Sequence, residues 1–176
     1  MTEKKTERRD FLGALSLATG AVGGGAFMWP IINSMNPSAD VLALSSTEVD
    51  LSLIGEGQRI TIMWRGKPVF IAHRTTVELA SARADDSKIT IDIQTDEERV
   101  TVGKDKWLII VGVCTHLGCV PIGQKNVEPR GDFKGWFCPC HGSHYDISGR
   151  IRKGPAPTNL AVPPYKFLSD TTVKIG

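Results

Sequence analysis

A chain of 176 residues leaves room for one domain of ordinary size and an additional anchoring segment. Its 21 basic and 19 acidic residues nearly balance at +2, and no basic stripe interleaved with aromatics marks a nucleic-acid surface, so nucleic acid is excluded as a partner. With 18 glycines and only 7% aromatic residues, short strands and turns fit the composition better than a helical bundle.

Residues 1–10 are polar, with Lys4, Lys5, Arg8 and Arg9 set against Glu3, Glu7 and Asp10. From 11 to 32 no charged residue occurs. At about 1.5 Å per residue that stretch reaches roughly 33 Å as a helix, enough for a bilayer core of about 30 Å. A helix buried in a soluble core would normally carry a polar face, and this one has none. A transmembrane anchor is therefore expected over 11–33. Arg8-Arg9 followed by Asp10-Phe11-Leu12 resembles a twin-arginine export signal, and glycines 13, 20, 23, 24 and 25 keep the span only moderately apolar, as such signals often are. Basic residues before the span and Asp40, Glu48 and Asp50 after it place residues 1–10 in the cytoplasm. The chain is thus expected to cross the bacterial inner membrane once, with its C-terminal domain in the periplasm and the lipid bilayer as a partner. Small residues at Ser34, Ser38, Ala39 and Ala43 would admit a peptidase, but the length of the span favours retention as an anchor.

Pro37 closes the span, and 34–46 continues in small and polar residues that suit a flexible hinge. A domain over 47–176 then reads as β. Ile60, Ile62 and Trp64 alternate with polar neighbours, and a second strand over Lys67–His73 follows the Arg65-Gly66 turn. A short helix is predicted over 75–83, with Thr75 as cap and Glu78 as its reciprocal partner. Ile89, Ile91 and Ile93 predict another alternating strand, 107–113 a nearly continuous apolar one, and 161–168 and 171–175 two short ones. Two small β layers with a metal-bearing segment inserted between strands are the economical architecture. His73 lies apart from that segment and reads as a sheet or surface histidine.

The segment itself holds Cys114-Thr115-His116-Leu117-Gly118-Cys119 and Cys138-Pro139-Cys140-His141-Gly142-Ser143-His144-Tyr145, with all 4 cysteines and all but one of the 4 histidines of the chain. Thiolates and imidazoles concentrated in this way point to a transition metal. Cys114-x-His116 and Cys138-x-x-His141 are short chelates, and a tetrahedral zinc site is the plainest reading of such pairs. Six soft candidates exceed the needs of one zinc, however, and Cys140 adjoins His141, whereas adjacent residues rarely converge on one metal. Cys114, His116, Cys138 and His141 as ligands, with Cys119 and Cys140 closing a disulfide in an oxidising compartment, is the sparser assignment.

The two boxes resemble the cluster-binding motifs of Rieske iron–sulfur proteins, and more closely those of the Rieske subunits of ubiquinol–cytochrome c reductase. Gly154-Pro155-Ala156-Pro157 resembles the proline loop of that family, and Ser38-Ala39-Asp40-Val41-Leu42-Ala43 its hinge. The resemblance implies a mainly β fold, a Rieske-type antiparallel β sandwich with an inserted cluster-binding subdomain at about 113–159, plus one N-terminal transmembrane helix. It implies one 2Fe–2S cluster, with Cys114 and Cys138 on one iron and His116 and His141 on the other. It further implies that Ser143 donates to a bridging sulfide, Tyr145 to the sulfur of Cys114, that Leu117 covers the cluster, and that His141 contacts the quinol and accepts its proton. His144 is read as a non-ligand. The implied activity is electron transfer in a quinol-oxidising respiratory complex, from ubiquinol on cytochrome b to cytochrome c1 by movement of the tethered head, within a dimeric assembly. The small Rieske subunit of an arsenite oxidase, a soluble Rieske ferredoxin and a zinc module are the competing readings. Segment 75–106 matches the family least and has no assigned role.

Overall fold

A computed structural model describes residues 8–39, 41 and 45–176. Residues 1–7 of the expected cytoplasmic segment and Asp40 and 42–44 of the expected hinge lie outside the described residues. Two compact units divide the chain, 1–43 and 44–176.

The first unit is dominated by helix α1, Arg8–Asn33. None of its described residues is buried. Phe11, Leu17, Val22, Phe27 and Trp29 are all exposed, as a span that packs into lipid requires. The helix ends before Pro37. Pro30 already removes one backbone donor from the last turn, and the amide of Ser34 closes that turn on the Pro30 carbonyl at 2.9 Å.

The second unit, among its described residues, carries β1 Thr47–Asp50, β2 Arg59–Trp64, β3 Lys67–His73, α2 Thr76–Ala84, β4 Trp107–Val111, β5 Lys134–Cys138, β6 Ser143–Asp146, β7 Ile151–Lys153, β8 Tyr165–Phe167 and β9 Thr172–Ile175. These form three antiparallel sheets of three strands, ordered β1-β9-β8, β2-β3-β4 and β5-β6-β7. The middle one is β2-β3-β4. Because side chains alternate along a strand, Val69, Ile71 and Ile109 on one face pack with Leu51, Ile54, Val173 and Ile175. Phe70, Ala72, Leu108 and Ile110 on the other face pack with Trp136, Tyr145, Ile151 and Leu160. Burial on both faces explains why 107–113 reads as an unbroken apolar run. The sheets β1-β9-β8 and β2-β3-β4 are the two layers expected, and the inserted segment that carries the second metal-binding box forms a third small sheet, β5-β6-β7.

Arg59 ties the middle layer to this third sheet. Its guanidinium donates to the carbonyls of Gly123 (3.1 Å) and Gly135 (2.9 Å) and lies 4.4 Å above the Trp136 ring. Burial, with help from nearby Arg130, pushes its pKa down to about 10, which leaves it a cation at neutral pH. Helix α2 begins with the expected capping box: Thr75 Oγ1 accepts from the Glu78 amide at 3.1 Å and Glu78 Oε2 accepts from the Thr75 amide at 3.0 Å.

The strand predicted through Ile89, Ile91 and Ile93 does not form. Among the described residues, α2 and β4 are joined by irregular chain with two short 3-10 turns, Asp86–Lys88 and Glu97–Arg99. The alternation is real, but beyond Ile89, which is buried, it is inverted. Ile91 and Ile93 face solvent, while Asp92, Gln94 and Asp96 turn inward. What draws them in is a set of buried arginines. Arg74 pairs with Asp96 at 2.5 Å, and both are nearly inaccessible to solvent. Arg150 pairs with Asp146 at 2.8 Å and with Asp86, and donates to the Ala82 carbonyl at 2.7 Å. Arg99 donates to the Gln94 side chain and to the carbonyls of Ser148 and Leu160. Buried charges must be paired and hydrogen-bonded, so these side chains, rather than a backbone ladder, dictate the path of the segment. Likewise, the strand expected over 161–168 is confined to β8, since Pro163 and Pro164 cannot donate to a ladder.

Candidate metal centre

The first box is the loop that follows β4. The Gly118 amide folds it back on the Cys114 carbonyl at 2.9 Å, and the Cys114 amide reaches the Cys119 carbonyl at 2.7 Å. The second box is the turn between β5 and β6, closed by the Gly142 amide on the Cys138 carbonyl at 3.0 Å, with Gly142 at φ +76°. A disulfide joins Cys119 to Cys140 and so locks the two loops together across a separation of 21 residues. Cys114 and Cys138 remain free thiols, each 2% exposed. They are close enough that each shifts the other's pKa. The imidazoles of His116 and His141 meet with ring centroids 4.6 Å apart and planes nearly perpendicular. The sulfurs of Cys119, Cys138 and Cys140 also lie within 4.8 Å of one another, but two of the three are spent in the disulfide and cannot ligate.

The environment favours a thiolate at Cys114. Burial alone would raise its pKa, but hydrogen bonds from Tyr145, the His116 amide, Cys138 and Ser143 outweigh it and bring the pKa below the usual thiol value. Tyr145 is fully buried and donates its hydroxyl to Cys114 Sγ at 3.2 Å. Its own ionisation is displaced upward, first by burial and then by that sulfur. Cys138 shifts upward through burial and through its neighbour Cys114.

Ser143 is buried and accepts the Ala156 amide at 3.2 Å, which brings the 154–157 loop onto the site. His144 points elsewhere: its Nδ1 accepts from the Asp132 amide at 3.1 Å and its ring packs on Phe137. Leu117 is 71% exposed. His141 is exposed and His116 half-buried. His73, remote from the site, stacks on Trp107 and contacts the Ile54 carbonyl.

The donor chemistry fits an iron–sulfur cluster. Two buried cysteines stay reduced beside a disulfide, one of them with its pKa lowered by the hydrogen bonds it accepts. His116 Nδ1 is buried and finds no hydrogen-bond partner among the described residues, a costly arrangement for an imidazole nitrogen that lacks a metal to receive its lone pair. Two features escaped the sequence reading. Thr115 Oγ1 donates to the Thr158 carbonyl at 2.7 Å, and Asn159 is held by segment 75–106; neither residue carries a motif signal.

Comparison with known proteins agrees with this geometry. The family model of the Rieske [2Fe-2S] domain matches residues 55–165, the class of protein that such paired Cys/His loops on a small β sheet define. A second model, the TAT signal of the "Ubiquitinol-cytochrome C reductase Fe-S subunit", matches residues 1–38. The ubiquinol-cytochrome c reductase iron-sulfur subunit of Rhodospirillum rubrum is 63% identical over 172 residues, covering 98% of this chain and 93% of that protein. That of Rickettsia prowazekii (strain Madrid E) is 58% identical over 173 residues, covering 98% and 95%. A solved structure described as a hyperthermophilic respiratory complex III superimposes with a TM-score of 0.54 at 30% identity, covering 95% of this chain and 99% of that one. The chain belongs to the Rieske iron–sulfur subunits of ubiquinol–cytochrome c reductase. It is an electron-transfer subunit of a quinol-oxidising respiratory complex, its cofactor is a 2Fe–2S cluster, and helix α1 is apolar and long enough to anchor it in a membrane. The arsenite oxidase reading gains no support from these matches.

Proposed function

We propose that Cys114 and Cys138 bind one iron of the cluster and His116 and His141 the other, with the head in the periplasm and α1 crossing the inner membrane. The observation that carries this assignment is a pair of buried, reduced cysteines, one of them bonded by the Tyr145 hydroxyl, together with two adjoining imidazoles of which one has an orphaned Nδ1. When bound, the cluster supplies a one-electron acceptor whose potential is raised because two neutral imidazoles replace two thiolates. His141, exposed at the tip, accepts a hydrogen bond from ubiquinol seated on cytochrome b and takes its proton on the ring nitrogen turned away from the metal. Exposed Leu117 presents an apolar surface to the quinol pocket beside it. Residues 34–46 tether the head, which then delivers the electron to cytochrome c1 in a dimeric complex.

Electron paramagnetic resonance of reduced membranes, with and without a quinol-site inhibitor, tests the whole reading. A mixed His/Cys cluster signal whose line positions shift on inhibitor binding is the expected result. A signal indifferent to the inhibitor would remove His141 from the quinol pocket, and a signal of an all-cysteine cluster would overturn the ligand set.

The hydrogen bond from Tyr145 stabilises the reduced, more negative state more than the oxidised one. Tyr145→Phe is therefore expected to lower the midpoint potential with the cluster retained; a differential of about 1 kcal/mol corresponds to roughly 40 mV for one electron. Ser143→Ala should act in the same direction. A redox titration that finds either variant at the wild-type potential would dismiss that residue's role.

A further inference from the structure

Residues 154–158 form the third wall of the centre, yet they contain two prolines and make few bonds of their own. Pro155 and Pro157 have no amide hydrogen, so Ala156 supplies the sole backbone donor of 155–157. That donor is the one that meets Ser143 Oγ, at 3.2 Å. With its oxygen accepting there, the hydroxyl keeps its own proton free to donate toward the centre. Register in this loop is thus unforgiving. A slip of one residue in either direction would offer Ser143 a proline and release its hydroxyl to rotate.

The entry of the loop is held by the pairing of β7 with β6 and by close approach at Gly154. This residue has φ +105°, and a Cβ there would lie 2.5 Å from the Gly142 carbonyl and 2.6 Å from Ser143 Cα. The exit is held by Asn159, which is 5% exposed and has every polar atom of its carboxamide engaged. Its Oδ1 accepts from the Ile151 amide at 2.9 Å. Its Nδ2 donates to the Asp92 carbonyl and to Gln94 Oε1, each at 3.0 Å, and its amide donates to Asp92 Oδ2 at 2.9 Å. Asp92 and Gln94 belong to the segment whose polar residues turn inward. Gln94 is gripped in turn by Arg99, which also donates to the Leu160 carbonyl at 2.5 Å.

We infer that Asn159, latched by Asp92 and Gln94, is a positioning residue that fixes the register of the 154–158 loop on Ser143 and so helps set the reduction potential of the centre. The inference rests on the ligand assignment proposed above and gives segment 75–106 a role that extends beyond docking against the sheets: it is a strut from the buried arginines to the wall of the metal site. Removing the carboxamide leaves the Ile151 amide, the Asp92 carbonyl and Gln94 short of partners, and the chain can recover them only by shifting or by admitting water.

The test uses the full chain in its membrane complex, with Asn159→Ala, Asp92→Ala, Ser143→Ala and the Asn159→Ala/Ser143→Ala double variant. The readouts are the midpoint potential from an EPR-monitored redox titration and the line positions of the reduced signal. Asn159→Ala is expected to lower the potential by at least half the shift of Ser143→Ala, and Asp92→Ala by a smaller amount in the same direction. The double variant is expected to lie no lower than Ser143→Ala alone, because both act through one hydroxyl. Additive shifts, or a wild-type potential and spectrum in Asn159→Ala, would overturn the latch. If Asn159→Ala fails to assemble, Asp92→Ala carries the same comparison, since it loses the bond from the Asn159 amide and a charge near Arg99 but leaves the Asn159 carboxamide in place. A wild-type spectrum without imidazole ligation would instead bring down the ligand assignment, which separates the two failures.

Discussion

Replacing Cys138 with serine is expected to remove the cluster outright. An alcohol does not ionise near neutral pH and is a hard donor, so it cannot stand in for a thiolate toward iron. Cys138 is 2% exposed and sits at the end of β5 beside Cys114, so no other free thiol or solvent can substitute from outside. Iron content should fall from roughly two per chain to near zero, the reduced EPR signal should vanish, and quinol-dependent cytochrome c reduction should go with it. The polypeptide should still fold, because the core between β1-β9-β8 and β2-β3-β4 contains no donor residue. The contrasting substitution, Cys119→Ala with Cys140→Ala, leaves all four proposed donors in place. Its loss is the cross-link across 21 residues, worth about 3 kcal/mol by chain entropy. That variant should therefore bind a cluster but release it at lower temperature. A Cys138→Ser protein that kept its iron and its signal would sink the assignment.

The sequence was most legible where chemistry is concentrated. Soft donors at short chelate spacing stand out in any chain, and strands such as β2 and β3 announce themselves by alternation around a turn. Alternation reports a period, however, and not which face is buried. In segment 75–106 the isoleucines at 91 and 93 were the obvious candidates for the interior, yet Asp92, Gln94 and Asp96 go inward. Their partners, Arg74, Arg99, Arg150 and Asn159, lie from 5 to 67 positions away, and nothing local says that they will be buried. The third sheet was hidden for a related reason: β5, β6 and β7 are short, and their inward residues include Cys138 and Tyr145, which had already been read as chemistry. Trp136, Tyr145 and Cys114 in fact belong to one continuous core with Leu108 and Ile110. Packing and ligation share the same side chains, so the base of the domain and the metal centre are mechanically coupled.

That coupling gives the second large effect, expected for Asp96→Ala. Arg74 and Asp96 are 1% and 0% exposed, and the carboxylate also accepts the Ser148 hydroxyl at 2.5 Å. Without it, the Arg74 guanidinium keeps the Asp105 carbonyl and Ser148 as neighbours but has no counter-charge. Breaking a buried pair on one side typically costs about 3–5 kcal/mol, since the remaining charge stays desolvated. For a domain of this size that corresponds to a fall of roughly 10–20 °C in Tm. Thermal unfolding of the reduced and oxidised head should show it, and a fall under about 3 °C would mean that water reaches Arg74 or that the pair contributes little. The double variant Arg74→Met/Asp96→Leu separates charge from packing. Replacing both partners by apolar residues removes the stranded cation, so it should recover part of the loss. Recovery should stay incomplete, because the buried Ser148 Oγ and the partly covered Asp105 carbonyl also lose their partners. Below its unfolding range Asp96→Ala should retain the EPR signal of the cluster, since none of the four proposed donors bonds to Asp96. A signal lost at low temperature would instead make this buried pair a requirement for cluster assembly, a tighter link between strut and metal site than the geometry implies.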